Sequence, residues 1–251
     1  MAQIKFGTDG WRAVIAEDFT FANVERVAQA TAGYWNTNRP PGTEARVVVG
    51  YDRRFLSEQF APRTAEILAG NGFQTTLTPT PTPTPSVSYA VKAQRAVGGV
   101  MITASHNPPA FNGFKLKAWY GGSAEASLCQ AVEAELDRNP IRSLELARAI
   151  KDKRIVMKDV RPPHYRAIKR LVDFKLIARS KLRFAHEALF GVGAGCFEEL
   201  LAGTSCRVTT LNGRHDPLFG GINPEPIPQN YAMSSAYLAR HPHDICLVTD
   251  G

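Results

Sequence analysis

The chain has 251 residues, 44% of them hydrophobic and 21% charged, with a formal charge of +7, the composition of a globular protein of one large domain or two ordinary ones. No apolar run approaches the ~18 residues a membrane helix needs. Four scattered cysteines (129, 196, 206, 246) without a C-x-x-C pair argue against zinc and against a disulfide framework, leaving reduced, structural thiols.

The excess positive charge favours anionic partners. Nucleic acid is one candidate, but the basic residues are spread out and no recognised binding signature interleaves them with aromatics; a basic cleft serves phosphorylated small molecules equally. Met1–Lys5 lacks the basic and apolar regions of a signal peptide, so a cytoplasmic protein without membrane contact is expected.

Along the chain, residues 20–35 place Val24, Val27, Ala28, Thr31 and Tyr34 at helical spacing. The β-branched run 46–50 reads as a buried strand. Ser57 reads as the N-cap of a helix whose inner face is Phe60, Thr64, Ile67 and Leu68, stopped by Gly70-Asn71-Gly72. Residues 73–77 and 97–103 read as strands. Between them Thr and Pro alternate from 78 to 85; the missing N–H donors exclude helix and central strand and leave a stiff polyproline-II connector. A helix is expected over 123–138, stopped by Asn139-Pro140. Residues 140–160 lose the apolar pattern and gain charge at 151–154, which sets a domain boundary at 150. Helices over 163–173, 196–202 and 231–240 then alternate with strands over 182–189, 207–211 and 245–249. The expected fold is two consecutive α/β domains, 1–150 and 151–251, with mixed, largely parallel sheets and helices on their faces. The last strand ends at Asp250-Gly251, where a loop should begin, and a truncated chain is expected.

One run carries most of the chemistry: Thr103-Ala104-Ser105-His106-Asn107-Pro108, continued by Asn112-Gly113-Phe114-Lys115. It puts a serine in a tight polar loop directly after the apolar residues 100–102, with a histidine beside it and a lysine ten positions on. Serine hydroxyls are weak nucleophiles and need such help. The pattern suits a hydroxyl that accepts and donates a phosphoryl group; the alternative is a turn in which Ser and Asn only bond the backbone. Acyl transfer is disfavoured, because there is no G-x-S-x-G elbow. At the N-terminus, Asp9-Gly10 marks a turn and Arg12 can grip an anion with two N–H groups. Tyr51-Asp52-Arg53-Arg54 follows a strand, where α/β loops line clefts, although an ordinary ion pair is the simpler reading. The glycine-rich turn at 191–195 has G-x-G-x-G spacing and no acid where a dinucleotide fold needs one, so close strand–helix packing accounts for it better. Asp250 sits at a strand end, a common place for a Mg²⁺ ligand. His241-x-His243-Asp244 follows a helix C-terminus, where cationic His is favourable, and metal binding there is the weaker reading.

Phe6–Arg12, Gly50–Arg53, Thr103–Lys115, the turn at 191–195 and Thr249-Asp250-Gly251 together resemble the α-D-phosphohexomutase family, the phosphoglucomutase/phosphomannomutase group, in order and in spacing. The resemblance covers the whole chain and about the first half of a family member. It implies a four-domain α/β architecture around a cleft, of which domains I and II are present and III and IV are missing. It implies that Ser105, as phosphoserine, exchanges phosphoryl with a hexose 1- or 6-phosphate through a hexose 1,6-bisphosphate. Lys115 and Arg12 would neutralise charge and help move protons, His106 would orient substrate or phosphate, and Thr8, Asp9, Trp11 and Asn107 would border the substrate. Mg²⁺ would be held by the serine phosphate and by aspartates of which Asp250 is the first. The expected function is a phosphohexomutase, for glucose in the first instance, with mannose or glucosamine phosphates as alternatives. The expected chain is impaired on its own, its alternative being a non-catalytic phosphosugar-binding half, and its uncovered surface invites self-association.

Overall fold

The computed structural model describes residues 4–251; Met1–Gln3, part of the segment read for a leader, lie outside them. The chain divides into two compact units. The first takes the residues up to Asp52 with 56–104 and 110–161, and the second takes 53–55, 105–109 and 162–251.

The first unit runs β1 (Gly10–Val14), α1 (Phe21–Thr37), β2 (Glu44–Tyr51), α2 (Ser57–Gly70), β3 (Gln74–Leu77), α3 (Thr84–Ala93), β4 (Ala96–Ile102), β5 (Phe111–Ala118), α4 (Ala126–Glu133), α5 (Leu146–Lys151) and β6 (Ile155–Met157). Its six-stranded sheet has the order β1-β5-β4-β2-β3-β6. β2, β3, β4 and β6 pair in parallel, while β5 runs against both β4 and β1. The valine run of β2 shows why the sheet is covered on both sides. Val47 and Val49 join the core containing Val24, Val27, Phe60 and Ile67 of α1 and α2, and Val48 joins Val87, Val91 and Met101 under α3. A strand buried on both faces has no place for polar alternation.

The second unit runs α6 (Arg161–Leu171), α7 (Phe174–Arg179), β7 (Arg183–Glu187), α8 (Cys196–Leu201), β8 (Arg207–Leu211), a 3₁₀ turn at Phe219–Gly221, α9 (Ala232–Arg240) and β9 (Ile245–Val248). Its three strands are parallel in the order β8-β7-β9. At the end of β7 the buried Glu187 carboxylate accepts from Leu189 N at 2.7 Å, from Asn212 Nδ2 at 2.9 Å and from Ser234 Oγ, which ties the loops after β7 and β8 to α9.

Several local expectations change. Ser57 does not cap α2: Leu56, at φ 60°, holds the cap position without a side-chain bond, and the buried Ser57 hydroxyl donates to Asp52 Oδ1 at 2.8 Å instead. The Thr-Pro tract ends by starting α3, because Pro85 falls in the first turn, where its missing N–H has no helical acceptor to lose. The run 112–115 is the body of β5, and residues 10–14, directly after the Asp9-Gly10 turn signal begins, form β1. The helix expected over 123–138 is confined to 126–133. Of the charged stretch 151–154, Lys151 ends α5 and 152–154 turn into β6, the edge strand paired with β3, so the first sheet extends beyond residue 150. All four cysteines are free thiols. Among the described residues no helix is long and apolar enough to cross a membrane.

Candidate active site

In the first unit the hairpin that joins β4 to β5 brings distant positions into register. Lys115 pairs with Met101 on one side and Gly10 on the other, and Arg12 pairs with Gly113. Trp11, Phe114 and Leu116 point into the core. Period-two alternation therefore sends Arg12 and Lys115 to the opposite face together. Asp9 joins them: its Oδ2 lies 3.2 Å from Lys115 Nζ and its Oδ1 3.7 Å from an Arg12 guanidinium nitrogen. Arg12 Nη1 also donates to Ala104 O at 3.3 Å, at the last residue before the serine. Gly113 is needed here, since a Cβ would meet Thr103 O at 2.5 Å and Arg12 Cγ at 3.1 Å. Lys117, two residues along the same strand face, is buried and donates to Ser123 Oγ at 3.3 Å. Burial first, and the Lys115 charge second, push its ammonium below the ordinary lysine pKa.

The segment 105–109 packs with the second unit. Ser105 has φ 56°, the left-handed region that costs a residue with a Cβ of order 1 kcal/mol or more and is retained where surrounding contacts over-determine it. Those contacts come from Arg54, only 3% exposed. Its guanidinium donates to Ser105 O and Asn107 O, each at 2.6 Å, and to Pro108 O at 2.9 Å, and lies 5.0 Å from the Phe219 ring centroid. The neighbouring Arg53 donates to Gly213 O at 2.9 Å and accepts from His215 Nε2 at 3.0 Å through its carbonyl. With the loop held, Ser105 Oγ donates to Asp250 Oδ2 at 2.7 Å. Asp250 Oδ1 accepts from Gly251 N at 2.9 Å, so the carboxylate is fixed at both oxygens.

Gly191 and Gly193 make room for Asp250. A Cβ on Gly191 would lie 2.5 Å from Gly251 Cα and 2.9 Å from Asp250 O, and one on Gly193 would lie 2.8 Å from Thr249 Oγ1. The glycine-rich turn is thus a packing device, but against the end of β9 rather than between strand and helix. Thr249 is held from below by the fully buried His186, whose Nε2 lies 3.0 Å from its hydroxyl. Burial lowers the His186 pKa, against the opposing pull of Glu198 and Glu187.

Among the residues singled out in the sequence, Ser105 and Asp250 are in direct contact, and Asp9, Arg12 and Lys115 form one ionic cluster. Asn107 meets Arg54 through its carbonyl. His106 and Thr8 are exposed. Trp11 is buried, its ring stacked on Phe19 at 4.8 Å, where it fastens β1 to the core. Arg54 was missed as the organiser of the serine loop; its one signal is a second arginine directly after a strand-end Asp-Arg. His241 stacks on Tyr237 at 4.2 Å, and His243 Nε2 lies 3.1 Å from Thr209 Oγ1.

The hydroxyl at 105 and the carboxylate at 250 are hard oxygen donors of the kind Mg²⁺ takes. Among the described residues no group of three or more His, Cys, Asp or Glu is placed to hold an ion. These donors suit Mg²⁺ in kind and fall short of an octahedral set in number.

Fold and contacts define a pair of α/β domains whose strand ends carry the polar side chains, the class in which such ends form ligand sites. Residues 3–142 match the family model described as phosphoglucomutase/phosphomannomutase, alpha/beta/alpha domain I, and residues 162–251 match that of domain II. The chain belongs to the phosphoglucomutase/phosphomannomutase family. A protein of Methanothermobacter thermautotrophicus assigned as a phosphoglucosamine mutase is 30% identical over 248 residues, 98% of this chain and 52% of that protein. A phosphoglucomutase of Staphylococcus saprophyticus is 38% identical over 122 residues, 47% of this chain and 22% of that protein. The crystal structure of a Thermus thermophilus protein assigned as a phosphomannomutase superposes with a TM-score of 0.90 at 37% identity, covering 100% of this chain and 55% of the other. The chain spans about half the length of the relatives it matches from end to end.

Proposed function

We propose that the chain is the N-terminal half of a phosphohexomutase, in which Ser105 relays phosphoryl between the two ends of a hexose. The observation that carries this reading is the Ser105–Asp250 contact, which sets the hydroxyl of a residue with left-handed backbone against a strand-end carboxylate. In the reaction the bond between phosphorus and Ser105 Oγ breaks as one forms to a hydroxyl of a hexose monophosphate, giving the hexose 1,6-bisphosphate; the reverse transfer from its other end restores the phosphoserine. Phosphoryl transfer depends more on alignment and charge neutralisation than on covalent help. Arg12 supplies fixed positive charge, Lys115 carries the proton at the sugar hydroxyl, and Asp9 holds both in place. Thr8, Asp9 and Asn107 border the sugar, His106 orients it, and Trp11 acts by anchoring the turn. Asp250 and the phosphate on Ser105 are, on this reading, two of the oxygen ligands of Mg²⁺, which when bound would neutralise phosphoryl oxygens. The hexose is glucose, and the protein is cytoplasmic. Tested by itself, this span turns over little, since it covers about half the length of the relatives it matches, and it self-associates.

Intact mass spectrometry tests the relay. The chain incubated with glucose 1,6-bisphosphate should gain about 80 Da, the mass of one phosphoryl group, and Ser105→Ala should not. A gain retained in Ser105→Ala overturns the assignment. Turnover equal to that of a chain with all four domains would overturn the claim of incompetence, and rates on glucose, mannose and glucosamine 1-phosphates with that longer chain decide the sugar.

A further inference from the structure

The second sheet has another end. β7, β8 and β9 are parallel, and Asp250 lies just past the C-terminal end of β9. At the N-terminal ends of the same strands, six residues back along the chain and roughly 20 Å away at strand rise, lies an open cavity of about 380 Å³ lined by Arg183, Arg207, Thr209, Arg240, His241 and His243. Arg183 and Arg207 are directly paired across β7 and β8. Like charges at paired positions repel, and a fold gains nothing from placing them there. Only Arg183 has a carboxylate, Asp244 Oδ2, which accepts from its backbone N at 2.6 Å and lies 3.8 Å from its Nε. Among the described residues no carboxylate pairs with Arg207 or Arg240. Three guanidinium groups against one carboxylate leave two positive charges uncompensated around one concavity.

We propose that this cavity binds a small phosphomonoester, at a site separate from that of Ser105 and Asp250. A phosphate monoester carries close to two negative charges at neutral pH and offers three acceptor oxygens, which matches the uncompensated charge and the donor-only chemistry of guanidinium. Thr209 adds a hydroxyl that His243 already holds in place at 3.1 Å. Apart from histidine the lining has no aromatic platform, which a single-stranded nucleic acid would need for base stacking. The volume admits a phosphate with a short organic body and little more.

The test follows backbone amide resonances of the 251-residue chain during titration with inorganic phosphate, and separately with glycerol phosphate, at constant ionic strength set by chloride. Saturable shifts at residues 207–209 and 240–243 are expected with both probes. In the paired variant Arg207→Gln/Arg240→Gln they should weaken by about tenfold or more, since charge-assisted hydrogen bonds are lost. Amide dispersion elsewhere reports that this variant remains folded. Ser105→Ala should leave these shifts unchanged, so the outcome is independent of the mutase reading. Shifts reproduced by chloride alone, shifts that do not saturate, or shifts indifferent to the arginine substitutions overturn the proposal. So does tighter binding at the same residues by a single-stranded oligonucleotide, which would make the site a nucleic-acid surface.

Discussion

Arg54 shows how much of the setting of the Ser105 loop rests on one buried side chain. Its guanidinium serves the carbonyls of Ser105, Asn107 and Pro108 from a buried position. A lysine there keeps the charge and loses the planar fork, so it reaches fewer of those carbonyls. Arg54→Lys is expected to destabilise the chain by about 2–4 kcal/mol, the range for losing charged hydrogen bonds in a buried site, measured by urea unfolding. Because the loop would relax, phosphoryl capture at Ser105 should slow with the hydroxyl still present. Unchanged stability in Arg54→Lys would show that Phe219 and the loop itself carry the conformation. The loop around Ser105 is readable in the sequence, since the serine and the turn formers after it are named by local pattern. Its clamp is not, because Arg54 and Ser105 lie 51 positions apart and no periodicity links them.

Among the elements, the antiparallel hairpin of β4 and β5 does the positioning. It sets Lys115 beside Met101 in one sheet, with β1 bringing Arg12 alongside Gly113. Its strands are hard to read because β5 mixes Asn, Gly and two lysines with its buried Phe114 and Leu116. The missing signal for α3 has a different cause: four prolines conceal a helix that begins where the last proline is tolerated. The turn after β7 is the element that seats Asp250. Gly191→Ala would place a methyl 2.5 Å from Gly251 Cα, an overpacking that costs about 1–3 kcal/mol. The expected outcome is a shifted Asp250 carboxylate, read as loss of the Ser105–Asp250 bond in a crystal structure and as slower phosphoryl capture. An unmoved Asp250 would show that the turn yields instead.

At the scale of the molecule, pH dependence follows from the buried His186. Its folded pKa lies below the ordinary 6.5 because burial disfavours the imidazolium. The unfolded chain therefore binds a proton near pH 6.5 that the folded one refuses until lower pH. Between those two values the unfolded state holds more protons, so stability falls as pH falls below about 6.5 and is flat above it. In thermal melts at pH 7.5 and 5.5, His186→Gln should lose less stability on acidification than the parent. An equal loss in both would assign the acid sensitivity to carboxylates.

By itself the sequence determined the two α/β units, and it singled out Ser105, Asp9, Arg12, Lys115 and Asp250 as the residues on which the proposed phosphoryl relay rests. Those are properties of residue type, turn chemistry and hydrophobic period, all of which act over a few positions. Tertiary structure alone decided which of them meet. Ser105 and Asp250 are 145 residues apart and bond at 2.7 Å because Arg54 locks one loop and a glycine turn leaves space for the other. Packing within the second unit likewise gathers three arginines from separate segments into one basic concavity. Contacts of that kind depend on how strands are ordered and which faces are covered, and no local pattern in the chain encodes that geometry.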